Sequence, residues 1–151
     1  MNKPRSSCPI SFALDCFGDR WSLLVIRDLL FKGMCRYQEL RHTEEGIASN
    51  ILSDRLRSLE GAGIIERHVA RRNAGGVTYR LTKRGLDLAP MLVEMILWSA
   101  SHGPTTAADP DFVAAARTDR SALLASMTDQ YATRAIPSTI AEPSRPERGS
   151  G

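Results

Sequence analysis

The apolar residues of this chain change period twice between Leu52 and Leu97, and that switch restricts the fold more than any other feature. Leu52, Leu56 and Leu59 recur at helical spacing. Val77, Tyr79 and Leu81 then alternate, as on one face of a strand. From Leu86 through Ala89, Leu92, Val93, Ile96 and Leu97 the pattern turns helical again. Two extended runs, Ile64 to Arg71 and Val77 to Leu81, flank Arg72-Asn73-Ala74-Gly75-Gly76, a basic and flexible hairpin tip. A helix, a hairpin and a long helix therefore follow one another.

Helices also precede the switch. Pro9 suits a first helical turn, Ile10, Ala13, Leu14 and Phe17 share a face, and Gly18 suits a stop. Asp19 can cap a second helix from Arg20 to about Lys32, which is largely apolar around its circumference. Arg36 to His42 reads as a short helix, Thr43 to Gly46 as a turn, and Ser49 to Gly61 as a fourth helix. The long helix after the hairpin is predicted from Thr82, its cap, to about His102. Pro90 inside it predicts a kink, and its wide apolar face suits a second subunit. After a linker, Asp109-Pro110 opens a further amphipathic helix, Phe112 to about Tyr131, that either docks on its own chain or packs across a partner. From Ala135 onward the Pro/Ser/Arg/Glu/Gly composition offers almost nothing to bury, and the tail is predicted to be disordered.

Composition narrows the function classes. Up to Gly103, 15 Lys and Arg face 11 Asp and Glu; from Pro104 the ratio is 5 to 6. Six basic residues (Arg67, Arg71, Arg72, Arg80, Lys83, Arg84) and one acid, Glu66, lie between Ile64 and Arg84, a density that can hold a phosphate backbone. The three cysteines, Cys8, Cys16 and Cys35, form no CxxC and suit a reducing compartment; with no apolar leader and no apolar run long enough to span a bilayer, a cytoplasmic protein without a membrane partner is expected. His42, His68 and His102 are scattered, and HExxH, GxSxG and P-loop patterns are missing, so neither enzyme, nor metal site, nor cofactor is expected.

The order of elements gives the polar residues a meaning. In a helix-turn-helix the second helix lies in the major groove. Here that helix opposes its leucine stripe with Asn50, Ser53, Asp54 and Arg57, and Asn, Ser and Arg are types that read base edges. Such a face also suits plain solvation. Its combination with a turn, a basic hairpin and a long apolar helix points to DNA.

Specific segments then become recognisable. Cys8-Pro9, Gly18 to Ile26, Arg36-Tyr37-Gln38-Glu39-Leu40, Gly46-Ile47 with Leu52 to Glu60, Gly63-Ile64-Ile65 and Tyr79-Arg80-Leu81-Thr82-Lys83-Arg84-Gly85 together resemble the HxlR-type winged helix-turn-helix regulators over residues 8 to 102. The resemblance implies a mainly α fold with a small β-hairpin wing. It implies a homodimer, built on the first helix and the long helix, that binds a pseudo-palindromic operator in double-stranded DNA, most simply as a repressor. The domain plan is then 8–102 for DNA binding and dimerisation, 103–134 as a helical extension and 135–151 as the tail. The alternative is a winged-helix protein-interaction module without DNA binding.

Carried over by position, the resemblance assigns Ser49, Asn50, Ser53 and Arg57 to the groove, with Arg55 beside them, Arg36 to a phosphate, and Arg71, Arg72 and Asn73 to the wing. Arg55 could instead pair with Asp54, Glu60 or an acid of another helix. Ala48 replaces the usual Ser or Thr cap, which shifts the expected cap to Ser49. Cys8, at a helix N-terminus, matches the thiol that redox sensors of this family use, and is the candidate oxidant sensor; the bland reading is an inert interface cysteine. Cys16 and Cys35 read as buried small hydrophobes. Phe12, Trp21 and Trp98 offer an aromatic site for a small-molecule effector, or simply core.

Overall fold

A computed structural model describes residues 6–69, 76–103 and 106–134. Helix α1 (Pro9–Phe17) starts on Pro9 and closes where the Gly18 N–H donates to the Leu14 carbonyl at 2.8 Å. Helix α2 (Arg20–Arg27) is capped by Asp19, whose carboxylate accepts from the N–H groups of Trp21 and Ser22 at 2.9 and 3.0 Å. The predicted helix to Lys32 is continuous but not regular: Asp28–Lys32 is a π-helical turn that stops at Gly33, with φ +67°. Helix α3 (Tyr37–Arg41) is short, and Glu39 reaches back to the N–H groups of Cys35 and Arg36.

Helix α4 (Ser49–Gly61) buries Leu52, Leu56 and Leu59. Its cap position is held by Ala48 and not, as expected, by Ser49, and no side chain caps it. Its far end is a tight stop: Gly63 takes φ +67°, and the Ile64 N–H returns to the Leu59 carbonyl at 2.9 Å. Strands β1 (Ile65–Val69) and β2 (Val77–Leu81) pair antiparallel, with Ile65 opposite Leu81 and Arg67 opposite Tyr79. The other edge of β2 is covered too, because Arg36 bridges Thr78 and the Tyr79 N–H donates to the Cys35 carbonyl at 2.7 Å. That edge pairing explains why Thr78 is buried beside the predicted alternating residues.

The long helix predicted from Thr82 is two helices. Helix α5 (Lys83–Leu86) is capped by the Thr82 hydroxyl, and α6 (Ala89–His102) begins with Pro90 in its first turn. The interruption at Asp87–Leu88 places Pro90 in the first turn of α6, where there is no hydrogen bond for proline to remove. Likewise the helix predicted over Phe112–Tyr131 is divided into α7 (Pro110–Thr118) and α8 (Arg120–Thr133) by Asp119, which leaves helical geometry and caps α8 through the Ala122 N–H.

One core joins α2, the π turn, α3, α4 and the hairpin, with Ile26, Leu40, Leu52, Leu59, Ile64 and Ile65 almost fully enclosed. A second cluster sets Val93 and Leu97 of α6 against Ala116, Phe112 and Leu123, so α7 and α8 cover part of the apolar face of α6 from within the same chain. Phe112 meets Phe31 edge-on at 5.9 Å. Within the single chain, α7 and α8 dock on their own α6. The tail from residue 135 lies outside the described residues.

Candidate nucleic-acid interface

The helix-turn-helix consists of α3, the Thr43–Gly46 turn and α4. Ile47 anchors the start of α4 in the core, and the leucine stripe turns the opposite face outward. Ser49, Asn50, Asp54 and Arg57 are exposed there. Arg57 reaches Asp54 at 3.0 Å with its side chain 77% exposed, so the guanidinium is tethered loosely and remains available.

Ser53 is half-buried. Tyr37 of α3 donates its hydroxyl hydrogen to the Ser49 carbonyl at 3.0 Å and lies 3.2 Å from the Ser53 hydroxyl. With the tyrosine proton committed to Ser49, Ser53 is the donor to Tyr37. The tyrosine thus sets the azimuth of the first two turns of α4.

Arg55 points the other way, to Asp19 at 3.1 Å. It pairs with an acid of another helix, the second of its two sequence readings. Burial raises the Asp19 carboxyl, but the Ser22 hydroxyl, two backbone N–H groups and Arg55 outweigh it and hold the group below its ordinary range. One side chain therefore caps α2 and ties it to α4.

The turn is tied down as well. Arg27 contacts both Glu45 and the buried Asp28, and Lys32 approaches Asp28 at 3.4 Å. The hydrogen bond from Arg27 holds the Glu45 carboxyl at about 2. Glu45's partner lies 18 residues upstream and leaves no trace in the sequence of the turn itself.

Between α4 and the hairpin lies an open cleft of about 260 Å³ lined by Tyr37, Ser53, Leu56, Arg57, Glu60, Arg67 and Tyr79. Arg67, in β1 and exposed, is a candidate that the position-by-position reading left out; its place in the basic run was the available signal. The other described members of that run, Arg80, Lys83 and Arg84, are directed to different parts of the fold. Arg80 lies 5.3 Å from the Tyr131 ring, Arg84 lies 5.9 Å from the Phe12 ring, and Lys83 pairs with Asp87 at 3.3 Å. Arg36 is exposed at the cap of α3. Arg71, Arg72 and Asn73 lie outside the described residues.

Cys8 is exposed at the cap of α1. Cys16 and Cys35 are half-buried, less enclosed than expected. Burial and the neighbouring Glu39 push the Cys35 thiol up, which disfavours its thiolate. Of the three aromatic residues, Trp21 is half-buried, while Phe12 and Trp98 stand in solvent at 48% and 65% exposure, Trp98 stacked on His102. Among the described residues no cluster could hold a metal ion, and no helix is long and apolar enough to cross a membrane.

Comparison with known proteins agrees with this geometry. The HxlR-like helix-turn-helix family pattern matches residues 16–107. An uncharacterized HTH-type transcriptional regulator of Synechocystis, sll1512, is 41% identical over 88 residues, which is 58% of this chain and 64% of that protein. The reduced form of the transcriptional regulator YodB from Bacillus subtilis superposes with a TM-score of 0.55 at 32% identity, over 66% of this chain and 97% of YodB. The redox regulator HypR in its oxidized form gives 0.57 at 32%, over 65% of this chain and all of HypR (100%).

Proposed function

The chain belongs to the HxlR-like helix-turn-helix family of transcriptional regulators, and from that premise we propose that it represses transcription as a homodimer on a pseudo-palindromic operator. The observation that carries this reading is the α4 face. Asn50 and Arg57 project from a helix held from behind by Tyr37 and by the Asp19–Arg55 pair, beside a cleft that continues onto the hairpin. Ser49, Asn50, Ser53 and Arg57 read bases; Arg36 and Arg67 hold phosphates, with Arg71, Arg72 and Asn73 in the wing. Arg55 serves by holding α4 in place. Residues 8–102 form the DNA-binding and dimerisation unit and 103–134 an extension of it.

Dimerisation is supported by apolar side chains left in solvent. Ile10, Phe12 and Leu14 on α1 and Met95 and Trp98 on α6 are 47–69% exposed, and none is covered by α7 or α8. Redox control is the second part of the proposal, supported by the exposed Cys8 and by the description of HypR as a redox regulator. A mild oxidant removes two protons and two electrons from the Cys8 thiols of two subunits, and the resulting disulfide re-sets the spacing of the two α4 helices.

Footprinting on duplex from upstream of the chain's own gene tests the reading. The expected result is one protected stretch with two half-sites about one helical turn apart, bound by two subunits, and altered by oxidant in wild type but not in Cys8→Ser. Absence of protection in both reduced and oxidised protein overturns DNA binding and favours a protein-interaction module. Equal response of Cys8→Ser and wild type overturns the redox part alone.

A further inference from the structure

Helices α7 and α8 lie beyond the matched stretch 16–107, yet the last turn of α8 makes more specific contacts with the helix-turn-helix body than packing alone requires. Alternate residues of a strand point their N–H groups to the same edge. On the outer edge of β2, Tyr79 donates to Cys35, and the next donor on that edge is Leu81. Its N–H is taken by the Tyr131 hydroxyl at 2.6 Å, inside a tyrosine that is 6% exposed. Arg80, on the same strand, donates to the carbonyls of Tyr131 and Arg134 at 3.4 and 3.3 Å, and its guanidinium lies 5.3 Å from the Tyr131 ring. A cation thereby meets the negative end of α8.

Arg134 repeats the device on a different helix. Its guanidinium donates to the carbonyls of Leu30 at 2.6 Å and of Leu29 and Phe31 at 3.4 Å, the oxygens that the π turn after α2 would otherwise leave without partners. One short segment, 131–134, is therefore bonded both to the wing strand and to the end of the α2 segment.

We infer that α7 and α8 form a brace that fixes the wing against the helix-turn-helix, with Tyr131 and Arg134 as positioning residues for DNA binding. The binding half of this inference rests on the regulator reading; the mechanical half does not. Strand β2, held on one edge by β1 and on the other by Cys35 and Tyr131, is fixed in one orientation against the helix-turn-helix body. Losing the second anchor lets it swing, and phosphates contacted by the wing are then held only part of the time.

Tyr131→Phe deletes one oxygen and keeps the ring under Arg80, so it is the first variant; Arg134→Met, which keeps the aliphatic reach, is the second. Amide hydrogen exchange of the full chain is followed at Leu81, with the α4 amides of Leu56 and Leu59 as the internal standard for global opening. In Tyr131→Phe, exchange at Leu81 is expected to rise at least tenfold relative to those amides. Salt titrations with upstream duplex should then show a slope of log affinity against log salt that is flatter by about one phosphate contact, roughly 0.9. Unchanged relative exchange at Leu81 overturns the brace. Faster exchange with wild-type affinity and slope overturns the positioning role. If wild-type protein binds no duplex, it is the regulator reading that falls, and the exchange result still decides the brace.

Discussion

Replacing Asp19 by alanine removes three interactions at one point of the fold. The cap of α2 loses its acceptor for the N–H groups of Trp21 and Ser22, worth about 1 kcal/mol. The Ser22 hydroxyl, in a residue 1% exposed, loses the carboxylate it donates to, and an unsatisfied buried hydroxyl costs about 1–3 kcal/mol. The Arg55 pair, with both side chains about a third exposed at 31%, adds only about 0.2–1 kcal/mol after solvent screening. Asp19→Ala should therefore destabilise by roughly 2–5 kcal/mol, read as a shift in the urea midpoint at pH 7. Asp19→Asn keeps a capping oxygen and a partner for Ser22, and should cost about 1 kcal/mol. Arg55→Ala should cost least of the three. An Asp19→Ala loss below about 1 kcal/mol, or an Arg55→Ala loss equal to it, would refute the view that Asp19 works mainly as cap and serine acceptor.

Two further expectations follow from single residues. The folded-state pKa of Glu45 lies at about 2 against an ordinary 4.5, so its pair with Arg27 contributes stability that is present above about pH 4.5 and lost as pH falls toward 2. Urea midpoints should fall over that window, and less steeply in Glu45→Gln; identical profiles would rule the pair out as an acid-sensitive tie. An added Cβ at Gly85 would sit 2.2 Å from the Ile64 carbonyl oxygen, whereas one at Gly61 meets nothing within 4 Å. Gly85→Ala should cost at least about 1–3 kcal/mol and Gly61→Ala should stabilise by roughly 0.4–1 kcal/mol. Chemical denaturation of both variants checks the contrast, and equal midpoints would contradict it.

What could be read from sequence was what repeats locally. The leucine stripe of α4, the strand Val77–Leu81 and the punctuation at Asp19, Gly33 and Gly63 each reflect one element's own period or terminus, and all reappear in three dimensions. The α4 face followed from the same stripe, since burying Leu52, Leu56 and Leu59 leaves Asn50 and Arg57 outside. Helix breaks were harder. Pro90 suits both a kink and a first turn, and only the break between α5 and α6 at Asp87–Leu88 decides between them. Asp119 reads as an ordinary polar helix residue until its side chain is seen capping α8.

Long-range pairings were the least legible. Arg55 with Asp19, Arg27 with Glu45, and Arg134 with the π turn join residues whose neighbours in sequence carry no trace of the contact. The described members of the basic run from Arg67 to Arg84 diverge for the same reason. Counting charges treats them as one patch, while strand alternation and the turn into α5 send Arg80 to α8 and Arg84 to α1.

The most direct measurement is a fluorescence titration of upstream and scrambled duplexes at several salt concentrations, with wild type and Arg57→Ala. Wild type should prefer the upstream duplex strongly, with affinity falling steeply as salt rises. Arg57→Ala should lose about 1–3 kcal/mol on that duplex and much of the preference, while scrambled duplex is affected far less. Equal affinity for both duplexes, or a preference untouched by Arg57→Ala, would contradict the assignment of the α4 face to base recognition.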